Sequence, residues 1–373
     1  MVYSLKWDSG GLLLFKTVDN DGNQGNKTVK SGKGCSAVLR PVFREELELF
    51  NLTEYWDVSK TDNPLLWYNT RSKYYYYRGN KVARQRGGNV REPPTIEVYE
   101  KELYLDGKDI DRDVERNKEL LLEMEDEAVE FIRDISEDYD IVISAFSGGK
   151  DSMVSLYLTV LALENSSKDI QVLYVDTTLE SKYTLEYVEE VKRYVESKGV
   201  KFNTVKPTVS AYELMLKQGI PTRLKKWCCR KLKLEPVERF YREISEKNNS
   251  IVFIEGVRKE ESVRRQKYDR ISKDKAIKGQ IKARPIFDWT TVELWLYIFL
   301  KGLPINKLYR YGMNRTGCIF CPFHSGPAEY ISSRLDDTQR YWELLEEQLR
   351  NVGIEDTEEY IHKGYWKARY TIR

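Results

Sequence analysis

The run Ser147-Gly-Gly-Lys-Asp-Ser152 carries the sharpest chemical signal in the chain. It follows a near-continuous apolar stretch, Tyr139-Asp-Ile-Val-Ile-Ser-Ala-Phe146, and precedes a helical pattern over Met153 to Leu163. Two glycines let the backbone turn tightly and bring its N–H groups close to an anion. The start of a helix adds a partial positive charge there. Lys150 can neutralise a phosphate, and the hydroxyls of Ser147 and Ser152 can bond to it. Asp151 is placed to cap the helix or to help hold Mg²⁺. The G-x-x-x-x-G-K-[ST] spacing is absent, so this is not a Walker A loop. A plain capped glycine turn is the simpler reading, but strand, loop and helix fall where a phosphate loop needs them.

Four of the five cysteines form two tight pairs, Cys228-Cys229 and Cys318-x-x-Cys321, with 88 residues between the pairs. Cys35 stands alone. Paired cysteines in an intracellular protein more often hold metal than form a disulfide. The second pair sits between Gly317 and Pro322, a loop suited to ligation. Zinc and an iron–sulfur cluster both fit thiolate-only ligation. Adjacent cysteines suit a tetrahedral zinc site poorly, which favours a [4Fe–4S] cluster. Lys225, Lys226, Arg230, Lys231 and Lys233 surround the first pair. They read as charges that tune such a site or grip an anion, or more simply as a solvated helix face. Only His324 and His362 are histidines, which disfavours histidine-based zinc hydrolases and Ser-His-Asp hydrolases.

These groups need a scaffold. The 373 residues allow two or three domains. With 41% hydrophobic and 32% charged residues the chain is globular, not disordered. Lys plus Arg is 61 against 59 Asp plus Glu, so no global basic field drives nucleic-acid binding. The longest apolar run, Leu294 to Leu300, is too short to span a bilayer, and the start of the chain has no apolar signal core. A cytoplasmic protein without a membrane partner is expected.

Strand-like and helix-like segments alternate from about Asp113. A charged helix over Glu115 to Ser136 comes first. The strands are Tyr139 to Phe146, Ile170 to Asp176, Lys201 to Val205 and Ser250 to Glu255, with helices at Met153 to Leu163 and Tyr183 to Ser197. Such alternation predicts an α/β fold with a doubly wound parallel sheet. Residues 1–112 read as a β-rich accessory domain, 113–325 as the catalytic domain and 326–373 as a helical extension. Tyr74 to Ala83 reads as a hairpin turning at Gly79-Asn80. Its tyrosines, with Tyr68, interleave with Arg71, Lys73, Arg78, Lys81, Arg84, Arg86 and Arg91. Stacking on bases is one reading; a tyrosine core with arginines in water is the preferred one. Lys267 to Arg284, rich in basic residues, reads as a mobile loop at the pocket mouth.

The Ser-Gly-Gly-Lys-Asp-Ser loop resembles the pyrophosphate (PP) loop of the adenine-nucleotide α-hydrolase superfamily. Further motifs follow in order: Val175-Asp-Thr-Thr178, Trp227-Cys-Cys-Arg-Lys-Leu-Lys-Leu-Glu-Pro236, Glu255-Gly-Val-Arg-Lys-Glu-Glu-Ser-Val-Arg-Arg265, Arg284-Pro-Ile-Phe-Asp-Trp289, Leu308-Tyr-Arg-Tyr-Gly312 and Arg315-Thr-Gly-Cys-Ile-Phe-Cys-Pro322. The series is similar to the phosphoadenosine phosphosulfate (PAPS) reductase family, in particular to archaeal-type members with an added N-terminal domain.

The resemblance implies that Ser147, Gly148, Gly149, Lys150, Asp151 and Ser152 hold nucleotide phosphates. It places Asp176 and Thr177 near the nucleotide. Arg258, Glu261 and Ser262 would line the pocket, with Arg265 close behind. Lys150, Asp151 and Arg258 are the expected catalytic residues. Cys228, Cys229, Cys318 and Cys321 match the [4Fe–4S] ligands of adenylyl-sulfate reductases. Family members often show F-P-E-T after the second strand; here Ser181-Lys-Tyr-Thr184 keeps the Thr and lacks the acid. Reductases of the family also use a cysteine in a C-terminal tail, and Tyr360 to Arg373 contains none. The intact loop therefore points to ATP with Mg²⁺ and to AMP-forming, cluster-assisted sulfur transfer from a sulfur donor, with tRNA or DNA as acceptor. The alternatives are a reductase of PAPS or adenylyl sulfate, using an external thiol or Cys35, and a non-catalytic binding module.

Overall fold

A computed structural model describes residues 3–16, 38–246 and 250–367; Cys35 lies outside the described residues. The chain opens with a hairpin of β1 (Tyr3–Asp8) and β2 (Gly11–Lys16). Next come β3 (Leu39–Val42), α1 (Arg44–Leu49), β4 (Trp56–Val58), β5 (Leu66–Asn69), β6 (Tyr74–Tyr77), β7 (Asn80–Arg86), β8 (Thr95–Val98) and β9 (Leu103–Leu105). Strands β3, β5, β6, β7 and β8 make an antiparallel sheet in that order. The β6–β7 hairpin turns at Arg78 and Gly79, both at positive φ (+48° and +82°), the signature of a two-residue turn matched to strand twist. Tyr68 and Tyr75 are buried inside this sheet's core, so those rings are not free to stack on bases.

Two helices follow, α2 (Lys108–Arg116) and α3 (Lys118–Ser136). The sequence reads as one helix from Glu115, and the structure breaks it at Asn117. The Asn117 amide accepts from Leu14 N (2.8 Å) and donates to Leu12 O (2.9 Å), serving as a partner for β2. Asp113 accepts from Leu12 N and from the Trp67 indole, both at 2.8 Å. Leu5, Leu12, Leu14, Leu39 and Trp67 then join one apolar core with α3 and later helices. Packing thus runs across the boundary at residues 112 and 113.

The second sheet contains β10 (Ile141–Phe146), β11 (Asp169–Val175), β12 (Lys201–Val205), β13 (Ile251–Glu255), β14 (Ile271–Lys273) and β15 (Ile281–Ala283), ordered β12-β11-β10-β13-β15-β14. All neighbours are parallel except the β14–β15 pair. The segment expected to be a mobile loop, residues 267–284, therefore supplies the last two strands at one side of the sheet, with β14 at its edge. Its charges are used internally: Lys282 meets Glu255 and Asp274 at 2.7 Å, and the buried Arg284 meets Glu255 at 3.1 Å.

Helices α4 (Lys150–Leu163), α5 (Lys182–Ser197), α6 (Ala211–Gln218) and α7 (Glu235–Ser245) connect the parallel strands. They are followed by α8 (Thr291–Leu300), α9 (Gly326–Leu335), α10 (Gln339–Asn351) and α11 (Thr357–His362). Strand order reverses between β10 and β13. In doubly wound sheets a crevice opens there, at the carboxyl ends of the strands. The Ser147 loop leaves β10 at that point and the Arg258 segment leaves β13 beside it. No helix among the described residues is long and apolar enough to cross a membrane.

Candidate functional site

Gly148 turns the backbone at φ +72°, and Gly149 is the N-cap of α4. Asp151 is therefore not the cap. Ser152 Oγ fixes the loop: it accepts from Ser147 N (3.1 Å), donates to Gly149 O (2.9 Å) and meets Ser147 Oγ at 3.0 Å. The Lys150 N–H donates to the Tyr309 hydroxyl at 3.0 Å. Among the described residues the N–H groups of Gly148 and Gly149 have no protein acceptor. Two adjacent free N–H groups at a helix start form an anion-binding concavity.

Behind the loop lies a buried charge relay. Lys150 Nζ is 2.8 Å from Asp151 Oδ2, and Arg258 Nε is 2.5 Å from Asp151 Oδ1. Burial alone would raise the Asp151 pKa. The charges of Lys150 and Arg258 more than reverse that and hold the carboxyl well below its usual range. Burial pulls Lys150 down as well, and Asp151 outweighs it. Arg258 is only 2% exposed, and its guanidinium also contacts Glu260 and the carbonyl of Trp289. Expected to line a pocket, it is held by the Asp151 carboxylate beside Lys150.

The other residues implied by the resemblance fall into two places. Asp176, at the end of β11, accepts from Thr178 N and pairs with Lys206, each at 2.8 Å. Thr177 is fully buried; its hydroxyl donates to Glu180 at 2.7 Å and lies 3.7 Å from Cys318 Sγ. A carboxyl is thus present beside the β11 exit, at Glu180 rather than within residues 181–184. Glu261, Ser262 and Arg265 form an exposed turn: Glu261 accepts from Arg258 N (2.9 Å) and from the Arg265 guanidinium, and Ser262 accepts from Arg265 N (3.1 Å). Among the described residues no side-chain hydrogen bond joins them to the loop, and Arg258 is their link to it.

Several residues that hold the loop escaped sequence reasoning. A Cβ on Gly256 would lie 2.4 Å from the Asp151 carbonyl oxygen, so only glycine lets β13 exit against α4. Asn306 donates to Gly148 O (3.1 Å) and to Thr184 Oγ1 (3.0 Å). Tyr309 both covers the Lys150 N–H and lies beneath its ammonium, 5.5 Å from the ring centre. A glycine directly after a parallel strand is a readable signal for Gly256. Asn306 offers none.

The cysteines come from two irregular segments. Cys228 leads into a π-helical turn, Cys229–Leu234, a conformation often found at functional sites. Cys318 and Cys321 lie on the loop before α9, where Ile319 N donates to Leu179 O at 2.7 Å. Phe320 anchors that loop: its ring stacks on Tyr341 and Trp366, with centroids 5.5 and 5.2 Å apart. A hydrogen bond between Cys228 and Cys229 raises the first thiol and lowers the second. Cys228 and Cys318 pack against the same apolar cluster, which also holds Phe320, Tyr341 and Trp366. Burial pushes Cys318 up to about 11 and raises Cys321. Lys233 is raised chiefly by Cys318. Among the described residues no three Cys, His, Asp or Glu side chains are gathered at metal-ligand spacing. The donor set, four thiols with the charges of Lys233, Lys226 and Arg315 acting on Cys229, fits an anionic thiolate-ligated centre.

Sheet order and loop together define a PP-loop α/β protein, with the loop at the switch point of the sheet. The chain belongs to the phosphoadenosine phosphosulfate reductase domain family, whose model matches residues 126–324. An uncharacterised protein of Methanocaldococcus jannaschii is 36% identical over 261 residues, which cover 69% of this chain and 52% of that protein. The chain thus spans about half the length of that relative. An adenosine 5'-phosphosulfate reductase of Oceanobacillus iheyensis is 30% identical over 182 residues, covering 48% of this chain and 70% of that enzyme. A solved PAPS reductase from Candida auris, in complex with phosphate, aligns with 57% of this chain and 96% of its own at 20% identity and a TM-score of 0.40.

Proposed function

We propose that the chain binds ATP at the Ser147–Ser152 loop and performs AMP-forming sulfur transfer. The observation that supports this most is the complete loop at the switch point, with two unpartnered N–H groups beside a buried lysine. The N–H groups of Gly148 and Gly149 and the Lys150 ammonium hold the β- and γ-phosphates. Asp151, fixed by Arg258, aims the ammonium. An acceptor oxygen attacks the α-phosphorus, and the bond to the β-phosphate oxygen breaks. The electron pair leaves on pyrophosphate, whose growing charge meets the loop's donors. A sulfur donor then displaces AMP from the activated acceptor, forming a carbon–sulfur bond as the carbon–oxygen bond breaks. Asp151 is already engaged by two cations, so Mg²⁺ arrives on the nucleotide's phosphates rather than in a protein cage. Cys228, Cys229, Cys318 and Cys321 would hold a [4Fe–4S] cluster, which when bound supplies a thiolate-ligated iron centre for handling sulfur. The chain's own Lys226 and Lys233 offset the charge of those thiolates. Transfer RNA or DNA is the acceptor class to assay first.

A second reading, reduction of a sulfonucleotide with release of sulfite, is favoured by the likeness to adenosine 5'-phosphosulfate reductases. Titration of ATP, adenylyl sulfate and PAPS into anaerobically purified protein with Mg²⁺ separates the two. Tight ATP binding with weak sulfonucleotide binding is the expected result; the reverse, with sulfite release, establishes the reductase. Lys150→Ala is expected to lower pyrophosphate release on the order of 10²- to 10³-fold, the usual cost of losing one such donor. The fold should survive, because Arg258 still pairs with Asp151. Unchanged turnover would sink the assignment. Iron and zinc content of the purified protein decides which metal the cysteines take.

A further inference from the structure

A second basic cavity lies away from the phosphate loop, between the N-terminal sheet and the segment that carries Cys318 and Cys321. It encloses about 160 Å³, and its lining includes Arg40, Lys73, Gln85, Arg315 and the start of α9. Arg40 is neutralised. Its guanidinium grips the buried Glu46 with two bonds of 2.6 and 2.8 Å and gives its Nε to Asn314 at 2.8 Å. Gly312 makes room for this pair, since a Cβ there would lie 2.8 Å from the Glu46 carboxyl carbon.

The other two cations are not neutralised. Among the described residues neither Lys73 nor Arg315 has a carboxylate partner; the Arg315 guanidinium reaches only the Phe323 carbonyl, at 3.0 Å. Burial, then the charge of Arg40, makes the Lys73 ammonium harder to sustain without an anion. Gln85 is 6% exposed, and its side-chain oxygen accepts from Tyr68 at 2.6 Å. Its amide NH₂ has no acceptor among the described residues, and the side chain lines the cavity. Ser325 and Pro327, at the N-terminal turn of the ten-residue α9, complete the wall, and a helix start favours negative charge.

We propose that this cavity is a binding site for a free oxyanion of sulfate size, held by Lys73, the Gln85 amide, Arg315 and the start of α9. It is separate from the nucleotide loop and does not rest on the reading of that loop. Because Arg315 and Phe323 flank the cysteine segment, a bound oxyanion brings the N-terminal sheet and that segment together.

Calorimetric titration of inorganic sulfate into the full chain at low salt tests this. Sulfate also suits the phosphate loop, so the expected result is two sites. Lys73→Asn removes the charge and suits the backbone, since residue 73 has φ +65° and Asn tolerates that region. Gln85→Glu keeps an acceptor for Tyr68 and replaces the donor with a repelling charge. Each is expected to weaken one sulfate site at least tenfold and leave ATP affinity unchanged, while Lys150→Ala weakens the other site. Selenate soaked into crystals should show anomalous density beside Lys73 and Gln85. Sulfate binding unaffected by both cavity variants, or selenate found only at the phosphate loop, overturns the proposal.

Discussion

At the phosphate loop every charged side chain already has a partner. Lys150 and Arg258 share the single Asp151 carboxylate within 2.8 Å contacts, and the groups with no partner at all are backbone N–H. At the cysteines the order is inverted. Backbone and packing are closed by Phe320 and the Ile319–Leu179 bond, while side-chain charge is open, with Lys226 and Lys233 acting on the Cys229 thiol. One half of the site is complete as a folded object, with its backbone N–H groups open beside Lys150. The other awaits negative charge on its sulfurs. The loop's geometry therefore depends on an ion triad inside the protein, whereas the cysteine segment depends on aromatic packing and on what its thiols bind.

The comparison breaks most sharply at Asp151. Asp151→Ala leaves two buried cations without their carboxylate and is expected to cost about 3–5 kcal/mol in denaturant unfolding. The pH dependence has a definite sign. The Asp151 pKa is depressed in the folded state, so its stabilisation is present above the ordinary carboxylate value and is lost as pH falls below about 4. Asp151→Asn should flatten that acid limb. Phe320→Ala is expected to cost about 3 kcal/mol, at the lower end for a buried aromatic, and to release the cysteine loop. Iron or zinc retention should fall while ATP binding holds; if ATP binding falls equally, the two halves are not independent. The smallest effect belongs to Cys321→Ser. In metal-free protein it should change stability by less than about 1 kcal/mol. The acid limb should also stay unchanged, because burial raises this thiol and keeps it protonated there. Metal content should nonetheless drop, and unaltered content would remove Cys321 from the ligand set.

Much of this was legible. The β10–loop–α4 unit could be read because strand, glycines and helix are contiguous, and each local preference agrees with the fold. The two cysteine pairs were visible as pairs. Other features were hidden for a common reason. Arg258 could be read from its motif, but its place behind the loop depends on Asp151, 107 residues away. Asn117 breaks a helix that its periodicity favours because β2, far back in the chain, needs hydrogen-bond partners. The basic stretch over residues 267–284 has the composition of a loop, yet Glu255 and Asp274 neutralise Lys282 and let β15 join the sheet.

By itself the sequence determined the doubly wound order of strands and helices, the phosphate loop and the candidate thiols, since each is written within a short window of residues. Only the tertiary structure decided where the charges go. It placed Arg258 and Lys150 on one carboxylate, set Gly256 against the start of α4 and clamped Phe320 beneath the aromatic rings of the last helices. It also left Lys73 and Arg315 unpaired around one cavity. The physical reason is that ion pairing, close backbone approach and burial are properties of neighbours in space, and apart from the adjacent Lys150 and Asp151 these neighbours lie tens to hundreds of residues apart along the chain.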